Sequence, residues 1–363
     1  MNDGSAAESP TTLPSPLAVE PVRFTGSGSE YFGIWIVNML LSIVTIGVYS
    51  AWAKVRRLQY FYRHTELAGS SFDFHGNPLK ILAGRAVALI MLGAYQYSVR
   101  IRSPWTLVII GVIAFAMPWL LRNSFRFRLY NTSWRAVRFH FRGPVSRAYR
   151  VFLLNGFLSL ITLYLLMPFA HQRIKAYQHD NSWFGSTRCS FHARAGQFYR
   201  IYPLMLVAII LYGCLVAFSG IGPALAQLGQ ARQHSGHVDP YAFTKALAIV
   251  YGGVILVSIV IGPIFHALIA NLIWSNTRIG EHRIECNIPV FGFLWITFSN
   301  FVLVVLTLGL FIPWAAVRST KIQLEGIRLV PAGDLQAFAD ADPEDVEAVG
   351  MEAASVFDLD ISL

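Results

Sequence analysis

The stretch "YFGIWIVNMLLSIVTIGVYSAWAKVRRLQYFYRHTELAGSSFDFHG", residues 31–76, carries the pattern that decides the fold. Its apolar first half ends at an aromatic residue, a basic segment follows, and an alternating stretch then ends in glycine. Spacings of 7, 7 and 4 residues separate Asn38, Thr45, Trp52 and Arg56. Seven residues is close to two helical turns, so the first three are predicted to share one helix face.

The same spacing occurs twice more in the chain. The second copy consists of Asn155, Thr162, Phe169 and Arg173, and the third of Asn300, Thr307, Trp314 and Arg318. Two looser copies give five units in all, with anchors near 52, 119, 169, 264 and 314. A unit that recurs in this way indicates an internal repeat.

Each basic segment is followed by a stretch in which apolar and polar residues alternate. These stretches are "SFDFHG" at 71–76, "RFHFRG" at 138–143, "CSFHAR" at 189–194 and "RIECNI" at 283–288. A period of two that ends near glycine predicts a short strand. The segment "IQLEGIRLV" at 322–330 is a degenerate copy, and "VRFTGSG" at 22–28 looks like a stray one.

The composition indicates a membrane protein. Only 13% of the residues are charged, whereas a soluble domain usually has about 25%, and several apolar runs approach 20 residues. The predicted fold class is therefore an all-α, multi-pass integral membrane protein with internal repeats. Re-entrant helical hairpins are one alternative within it, and short cytoplasmic β-strands accompany the helices.

The charges divide the chain into three regions. All 29 basic residues lie in 22–330, against eight acidic ones, and they cluster at the ends of apolar runs. This placement favours contact with the bilayer and its anionic headgroups rather than with nucleic acid. Residues 1–21 are predicted to be a disordered lead, because they lack the basic and apolar regions of a signal peptide. Residues 331–363 form an acidic tail. The sequence is also compatible with a homo-oligomer.

The topology has two alternatives. The segments that follow the five anchors are all basic, which places them and both termini on the cytoplasmic side. Yet a single apolar stretch separates the second segment from the third, and the fourth from the fifth. Either 32–52, 149–170 and 291–315 are re-entrant hairpins, or the chain has seven plain transmembrane helices. In the hairpin alternative, the full spans are 81–98, 106–122, 198–219 and 243–264.

A break inside each apolar stretch would favour hairpins. Gly47 and Gly309 supply such a break in the first and third copies, whereas Tyr164 stands at the same place in the second. The break signal is therefore weaker in the middle copy.

The block at 31–76, with its Asn–Thr–Gly–Trp–Arg spacing and its "FDFHG" strand, resembles the YjgN-like family of bacterial inner-membrane proteins. The resemblance covers roughly residues 22–330. It implies a multi-pass location in the bacterial inner membrane and supplies no substrate, reaction or catalytic residue.

Two sets of residues are candidates for function. The polar seam could line a solute pathway or hold helices together, and the interfacial anchors could set orientation or bind anionic lipid. The seam consists of Asn38, Thr45, Asn155, Thr162, Asn300 and Thr307, and the anchors of Trp52, Arg56, Phe169, Arg173, Trp314 and Arg318.

The best functional hypothesis is solute or ion transport through a channel-like protein. The alternative is a non-catalytic protein that organises the membrane or binds lipid headgroups. The sequence contains no phosphate-binding loop, no nucleophile elbow and no zinc-helix motif, so neither an enzyme nor a cofactor or metal site is predicted.

Overall fold

The computed structural model describes residues 19–218 and 240–333. Twelve α-helices and eleven strands form this part of the chain. The helices are α1 (Gly28–Val44), α2 (Ser50–Arg63), α3 (Pro78–Arg100), α4 (Thr106–Tyr130), α5 (Val145–Ala148), α6 (Asn155–Ile161), α7 (Met167–Asp180), α8 (Ala195–Ile201), α9 (Pro203–Phe218), α10 (Pro240–Ser275), α11 (Val290–Leu306) and α12 (Ile312–Glu325). A π-helical segment, Tyr149–Leu154, joins α5 to α6.

The strands are short, with two to five residues each. They are β1 (Glu20–Pro21), β2 (Arg23–Phe24), β3 (Thr65–Leu67), β4 (Ser70–Phe74), β5 (Thr132–Trp134), β6 (Val137–Phe141), β7 (Ser182–Phe184), β8 (Thr187–Phe191), β9 (Thr277–Ile279), β10 (His282–Cys286) and β11 (Ile327–Val330). β1 forms the last two residues of the predicted lead, so a strand begins before the boundary at residue 21. The rest of the lead, 1–18, and the tail from 334 lie outside the described residues.

The predicted all-α class is wrong, because all eleven strands form one antiparallel sheet. The strand order is β1-β11-β10-β9-β8-β7-β6-β5-β4-β3-β2. β1 and β2 are consecutive in the chain, and the N–H of Val22 between them donates to the carbonyl of Ile327 at 3.0 Å. The two ends of the sheet therefore meet, and the strands form a nearly closed ring. The short strands and their pairing within a sheet were expected, but the long-range strand order, with β1 beside β11, was not.

One backbone hydrogen bond recurs five times around this ring. In each case, the residue that follows one strand donates its N–H to the carbonyl of the residue that precedes the next strand of the ring. The donor–acceptor pairs are Thr25–His64, His75–Asn131, Arg142–Asn181, His192–Asn276 and Asn287–Gly326, at 2.8–2.9 Å. β2, in the N-terminal segment that looked like a stray copy, thus occupies the same place as the five-residue strands β4, β6, β8 and β10.

Helix ends explain why a strand begins where it does. At the end of α4, the Asn131 amide donates to the Phe127 carbonyl at 2.8 Å, and the Thr132 hydroxyl donates to the Arg128 carbonyl at 2.9 Å. These bonds satisfy carbonyls that have no partner within the helix. The same pair of bonds ends α7 and α10, at Asn181–Ser182 and Asn276–Thr277.

Four helical segments of the described residues are long and apolar enough to cross a membrane. They are Pro78–Arg100, Thr106–Tyr130, Ala195–Phe218 and Leu247–Ser275, and at most 22% of their most apolar windows is buried within the protein. Apolar surface of this extent requires a lipid or protein partner. The four segments match the four full spans of the hairpin prediction, so the membrane class is confirmed.

The three other apolar stretches are each divided into two helices by the same turn. In α11–α12, the Thr307 hydroxyl donates to the Leu303 carbonyl at 2.7 Å and accepts from the Phe311 N–H at 3.0 Å. Thr45 and Thr162 make the equivalent bonds in α1–α2 and α6–α7. The threonine therefore satisfies backbone groups at the bend, which lipid could not do. These stretches are hairpins and not uninterrupted helices.

Threonine, rather than glycine, is what the three turns share. The residue two positions after this threonine has a left-handed backbone in every copy, with φ of +86° at Gly47, +65° at Tyr164 and +93° at Gly309. Tyrosine occupies this conformation at a steric cost that glycine avoids. The middle hairpin thus forms despite the weaker break signal in its sequence.

Tyr164→Gly is expected to stabilise the protein by about 1 kcal/mol, because it relieves this strain. Gly309→Tyr is the matched reverse change and is expected to destabilise by a similar amount. Thermal unfolding of both variants in detergent micelles measures the difference. A lower midpoint for Tyr164→Gly than for the unsubstituted protein would contradict the explanation.

Candidate functional site

The arginine that follows the anchor has three different environments in the three hairpins. In α11–α12, the Arg318 guanidinium donates to Asn300 Oδ1 at 2.8 Å and to Ser299 Oγ at 3.1 Å. The Asn300 amide in turn donates to the Ala315 carbonyl at 3.2 Å. A seam residue and an anchor therefore hold the two helices of this hairpin together, and the guanidinium has protein acceptors.

In the first hairpin, the equivalent residues do not meet. Arg56 is exposed and donates to the hydroxyl of Tyr49 at 3.1 Å. Asn38 is only 7% exposed, and its Oδ1 atom has no hydrogen-bond partner among the described residues. The first hairpin thus contains a buried acceptor that its own arginine does not reach.

In the middle hairpin, the arginine faces a cavity. The guanidinium carbon of Arg173 lies 5.0 Å from the centre of the Phe169 ring, and both residues line a cavity of about 360 Å³ together with Asn155. Three predicted site residues therefore come together here. The remaining residues of the lining are Arg147, Arg150, Val151, Leu154, Ala176 and Tyr177.

The π-helical segment Tyr149–Leu154 shapes this cavity. It lies between Arg147 on α5 and Asn155 on α6, and Arg150 belongs to it. The equivalent helices of the other two hairpins, α1 and α11, are α-helical throughout. Such π segments change the register of side chains and are frequent at functional sites.

The positive charge of the cavity has no counterion among the described residues. The three guanidinium groups of Arg147, Arg150 and Arg173 form no ion pair with any residue that the structure describes. Guanidinium groups bind phosphate and carboxylate through paired N–H donors. The arrangement can therefore bind an anion, and the side chains of all three arginines reach the protein surface.

Sequence reasoning identified Arg173 but missed Arg147 and Arg150. A signal was present, because residues 74–179 contain fourteen basic residues and no acidic one. A second basic cavity, of about 200 Å³, is consistent with this imbalance. Its lining consists of Arg122, Arg126, Tyr130, His140, Phe141 and Arg142.

The other predicted residues have local roles. Thr45, Thr162 and Thr307 close the turns described above. Trp314 lies 4.9 Å from the Phe32 ring, and its side chain packs closely against Gly28. Trp52 lies 6.2 Å from the ring of Tyr49, with the two rings nearly parallel. A pathway lined by the seam is not tested by these contacts and stays a prediction.

A buried lysine lies on α7 and forms no ion pair with a carboxylate among the described residues. Lys175 is 4% exposed, and its Nζ atom contacts Gln178 Oε1 at 3.4 Å. Burial, together with the nearby Arg128 charge, lowers the pKa of Lys175 to about 8. His171, His179 and His266 lie within electrostatic range of the amine.

Lys175→Met is expected to raise the thermal midpoint at pH 7. The folded pKa of about 8 is below the unfolded value of 10.5, so protonation favours the unfolded chain. Stability of the unsubstituted protein should therefore rise between pH 8 and 10.5, by about 2–3 kcal/mol. The variant should lack this rise, and the exposed control Lys321→Met should keep it. Thermal unfolding at pH 7 and pH 10 measures both, and a persistent rise in Lys175→Met would contradict the assignment.

Comparison with known proteins gives matches over most of the chain. A family described as "Bacterial protein of unknown function (DUF898)" matches residues 19–356. The inner membrane protein YjgN of Salmonella typhimurium strain LT2 is 20% identical in an alignment of 345 positions. The alignment covers 81% of this chain and 84% of that protein. YjgN of Escherichia coli K12 is 41% identical over 51 residues, or 14% and 13% of the two chains. No solved structure matches the chain.

Proposed function

This chain belongs to the DUF898 family of bacterial proteins of unknown function, and we propose that it binds anionic phospholipid headgroups in the inner membrane without catalysing a reaction. The inner-membrane location itself agrees with its YjgN relatives and its four apolar helices. The observation that carries the proposal is the cavity of the middle hairpin. In the other two hairpins, the equivalent arginine donates hydrogen bonds to residues of its own hairpin. In the middle hairpin, Arg173 lines open space together with two further guanidinium groups.

The apolar surface beside the cavity favours a lipid over a soluble anion. Leu154 lines the cavity and is 49% exposed, and Leu158, one helical turn further on, is 38% exposed. A phospholipid presents its anionic headgroup and its apolar chains to adjacent surfaces. The cavity and this helix face offer complementary surfaces in the same order.

The ring-shaped sheet supports the placement of all five basic segments on the same side of the membrane. A sheet whose strands pair edge to edge cannot extend across lipid, because the backbone groups of the crossing segments would lack partners. Each hairpin would then enter and leave the membrane on that side. The turn residues Ile46, Leu163 and Leu308 are 85–94% exposed, as expected for tips that contact lipid. The excess of basic residues supports a cytoplasmic location for this side and for both termini.

The five equivalent backbone hydrogen bonds support the internal repeat. Under this proposal, the strand of the fifth unit is supplied by the N-terminus, so that the first and last units share one strand pair. Five units arranged in a ring also give a reason for the single continuous sheet.

One observation supports the alternative function of transport. The buried Oδ1 atom of Asn38 has no hydrogen-bond partner in the described part of the chain. Buried polar atoms in membrane helices often mark a pathway. Replacing Asn38 with Leu in proteoliposomes distinguishes the two readings. Loss of solute flux with an unchanged fold would favour transport, and unchanged flux would count against it.

Retained lipid provides the test of headgroup binding. Arg173→Gln and Arg56→Gln remove the same charge at equivalent positions, but only the first residue lines the cavity. After purification in a neutral detergent, native mass spectrometry counts the anionic phospholipids that stay bound. We expect Arg56→Gln to retain the lipid and Arg173→Gln to lose most of it. Equal retention by the two variants would contradict the proposal.

A further inference from the structure

We propose that the cavity of the middle hairpin selects a phospholipid whose headgroup is an unesterified phosphate, that is, a diacylglycerol phosphate monoester. This inference rests on the proposed function and narrows its ligand class. It depends on the charge, the donors and the size of the cavity, together with the apolar surface beside it.

The charge of the lining favours a dianion. Arg147, Arg150 and Arg173 contribute three positive charges, and the lining formed by the described residues contains no Asp or Glu. A phosphate monoester carries about −1.5 to −2 charges at pH 7, since its second pKa is about 6, whereas a phosphodiester carries one. The monoester therefore neutralises more of the charge that the lining brings together.

The donors point to the same ligand. Each guanidinium presents a planar fork of N–H groups that fits two phosphate oxygens. A monoester has three terminal oxygens, one more than a diester, and so offers an acceptor edge to each of three forks. The Asn155 side chain on the same lining can donate to a phosphate oxygen or accept from a protonated one.

The size of the cavity limits the headgroup. A volume of about 360 Å³ is at the lower end of the range for small-molecule sites, so it suits a phosphate with its glycerol but little more. The acyl chains would lie outside, along the exposed apolar helix face at Leu154 and Leu158. This face is the reason to choose a lipid rather than free phosphate.

Competition between lipids of equal chain composition tests the inference. The full-length protein in dodecyl maltoside receives dioleoyl phosphatidate, dioleoyl phosphatidylglycerol or dioleoyl phosphatidylcholine, and native mass spectrometry gives each Kd. At pH 7.4, we expect phosphatidate to bind about tenfold more tightly than phosphatidylglycerol, as one additional charge-assisted contact would give. At pH 5.5, the preference should shrink, because phosphatidate then carries one charge for most of the time.

The possible outcomes separate this inference from the proposed function. Equal Kd values for the two anionic lipids, both weakened in Arg173→Gln, would overturn the monoester and leave headgroup binding intact. Equal binding of all lipids by the unsubstituted protein and by Arg147→Gln/Arg150→Gln/Arg173→Gln would overturn both. Displacement of phosphatidate by inorganic phosphate or glycerol 3-phosphate at the same concentration would overturn the lipid as ligand. A pH-dependent preference that disappears in the triple variant, but not in Arg56→Gln, supports the inference.

Discussion

Phe24→Ala is expected to lower the free energy of unfolding by about 3–5 kcal/mol, although Phe24 lies in a segment that the sequence left outside any unit. Its side chain is 4% exposed and packs in a cluster with Tyr31, Tyr60 and Val317. These residues come from both ends of the described chain, so the cluster joins the first and last units. Removing the ring leaves a cavity at that junction and weakens the strand that completes the sheet.

The prediction has an internal standard. Phe74 and Phe141 occupy the equivalent position in the next two units and are 1% and 3% exposed. If the ring consists of equivalent junctions, then Phe74→Ala and Phe141→Ala should cost about as much as Phe24→Ala. Val19→Ala, at a 46% exposed position before β1, should cost little. Chemical denaturation in detergent, followed by tryptophan fluorescence, gives all four values. A loss below about 1 kcal/mol for Phe24→Ala would mean that the N-terminal strand does not close the ring.

Arg147→Gln/Arg150→Gln/Arg173→Gln is expected to weaken the binding of anionic phospholipid at least about 100-fold. A charge-assisted hydrogen bond contributes about 1.5–3 kcal/mol, so three such contacts exceed this factor even when they are not additive. All three side chains are exposed at the surface, and none forms a described ion pair, so the fold should be retained. Equilibrium titration in neutral detergent measures the change.

The control for this variant removes the same charge elsewhere. Arg23, Arg56 and Arg57 are exposed and lie near the first hairpin and the N-terminal strand, outside the lining of the cavity. Replacing all three with Gln lowers the net charge equally. If binding came only from the basic surface as a whole, both triple variants would weaken it to the same degree. The account expects the control to retain binding within a few-fold.

Local patterns in the sequence predicted the parts of the fold that depend on local interactions. The four long apolar runs specify spanning helices through composition and length alone. The threonines at 45, 162 and 307 were recognised as a repeated feature, but their bonds across the turn could not be read from spacing. For that reason, the break at Tyr164 looked weak, whereas the structure contains the same turn there.

Long-range pairing accounts for what the sequence did not predict. The segment at 22–28 resembled a strand of the repeat, but nothing local indicated that β1 would pair with β11, across the whole described chain. Without that pairing, the short strands looked like an accessory to the helices, and the fold was predicted as all-α. Arg147 and Arg150 were missed for a related reason, because a π-helical segment brings them to the same cavity as Arg173.

Under the proposed function, one anionic headgroup occupies the cavity between the π-helical segment and α7. Photo-crosslinking tests it most directly, with an anionic phospholipid that carries a photoreactive group next to the glycerol. Peptide mapping after irradiation of the full-length protein locates the attachment. The account predicts label concentrated in residues 145–178 and lost in Arg147→Gln/Arg150→Gln/Arg173→Gln. Label spread evenly over the exposed faces of all three hairpins, and unchanged in that variant, would contradict it.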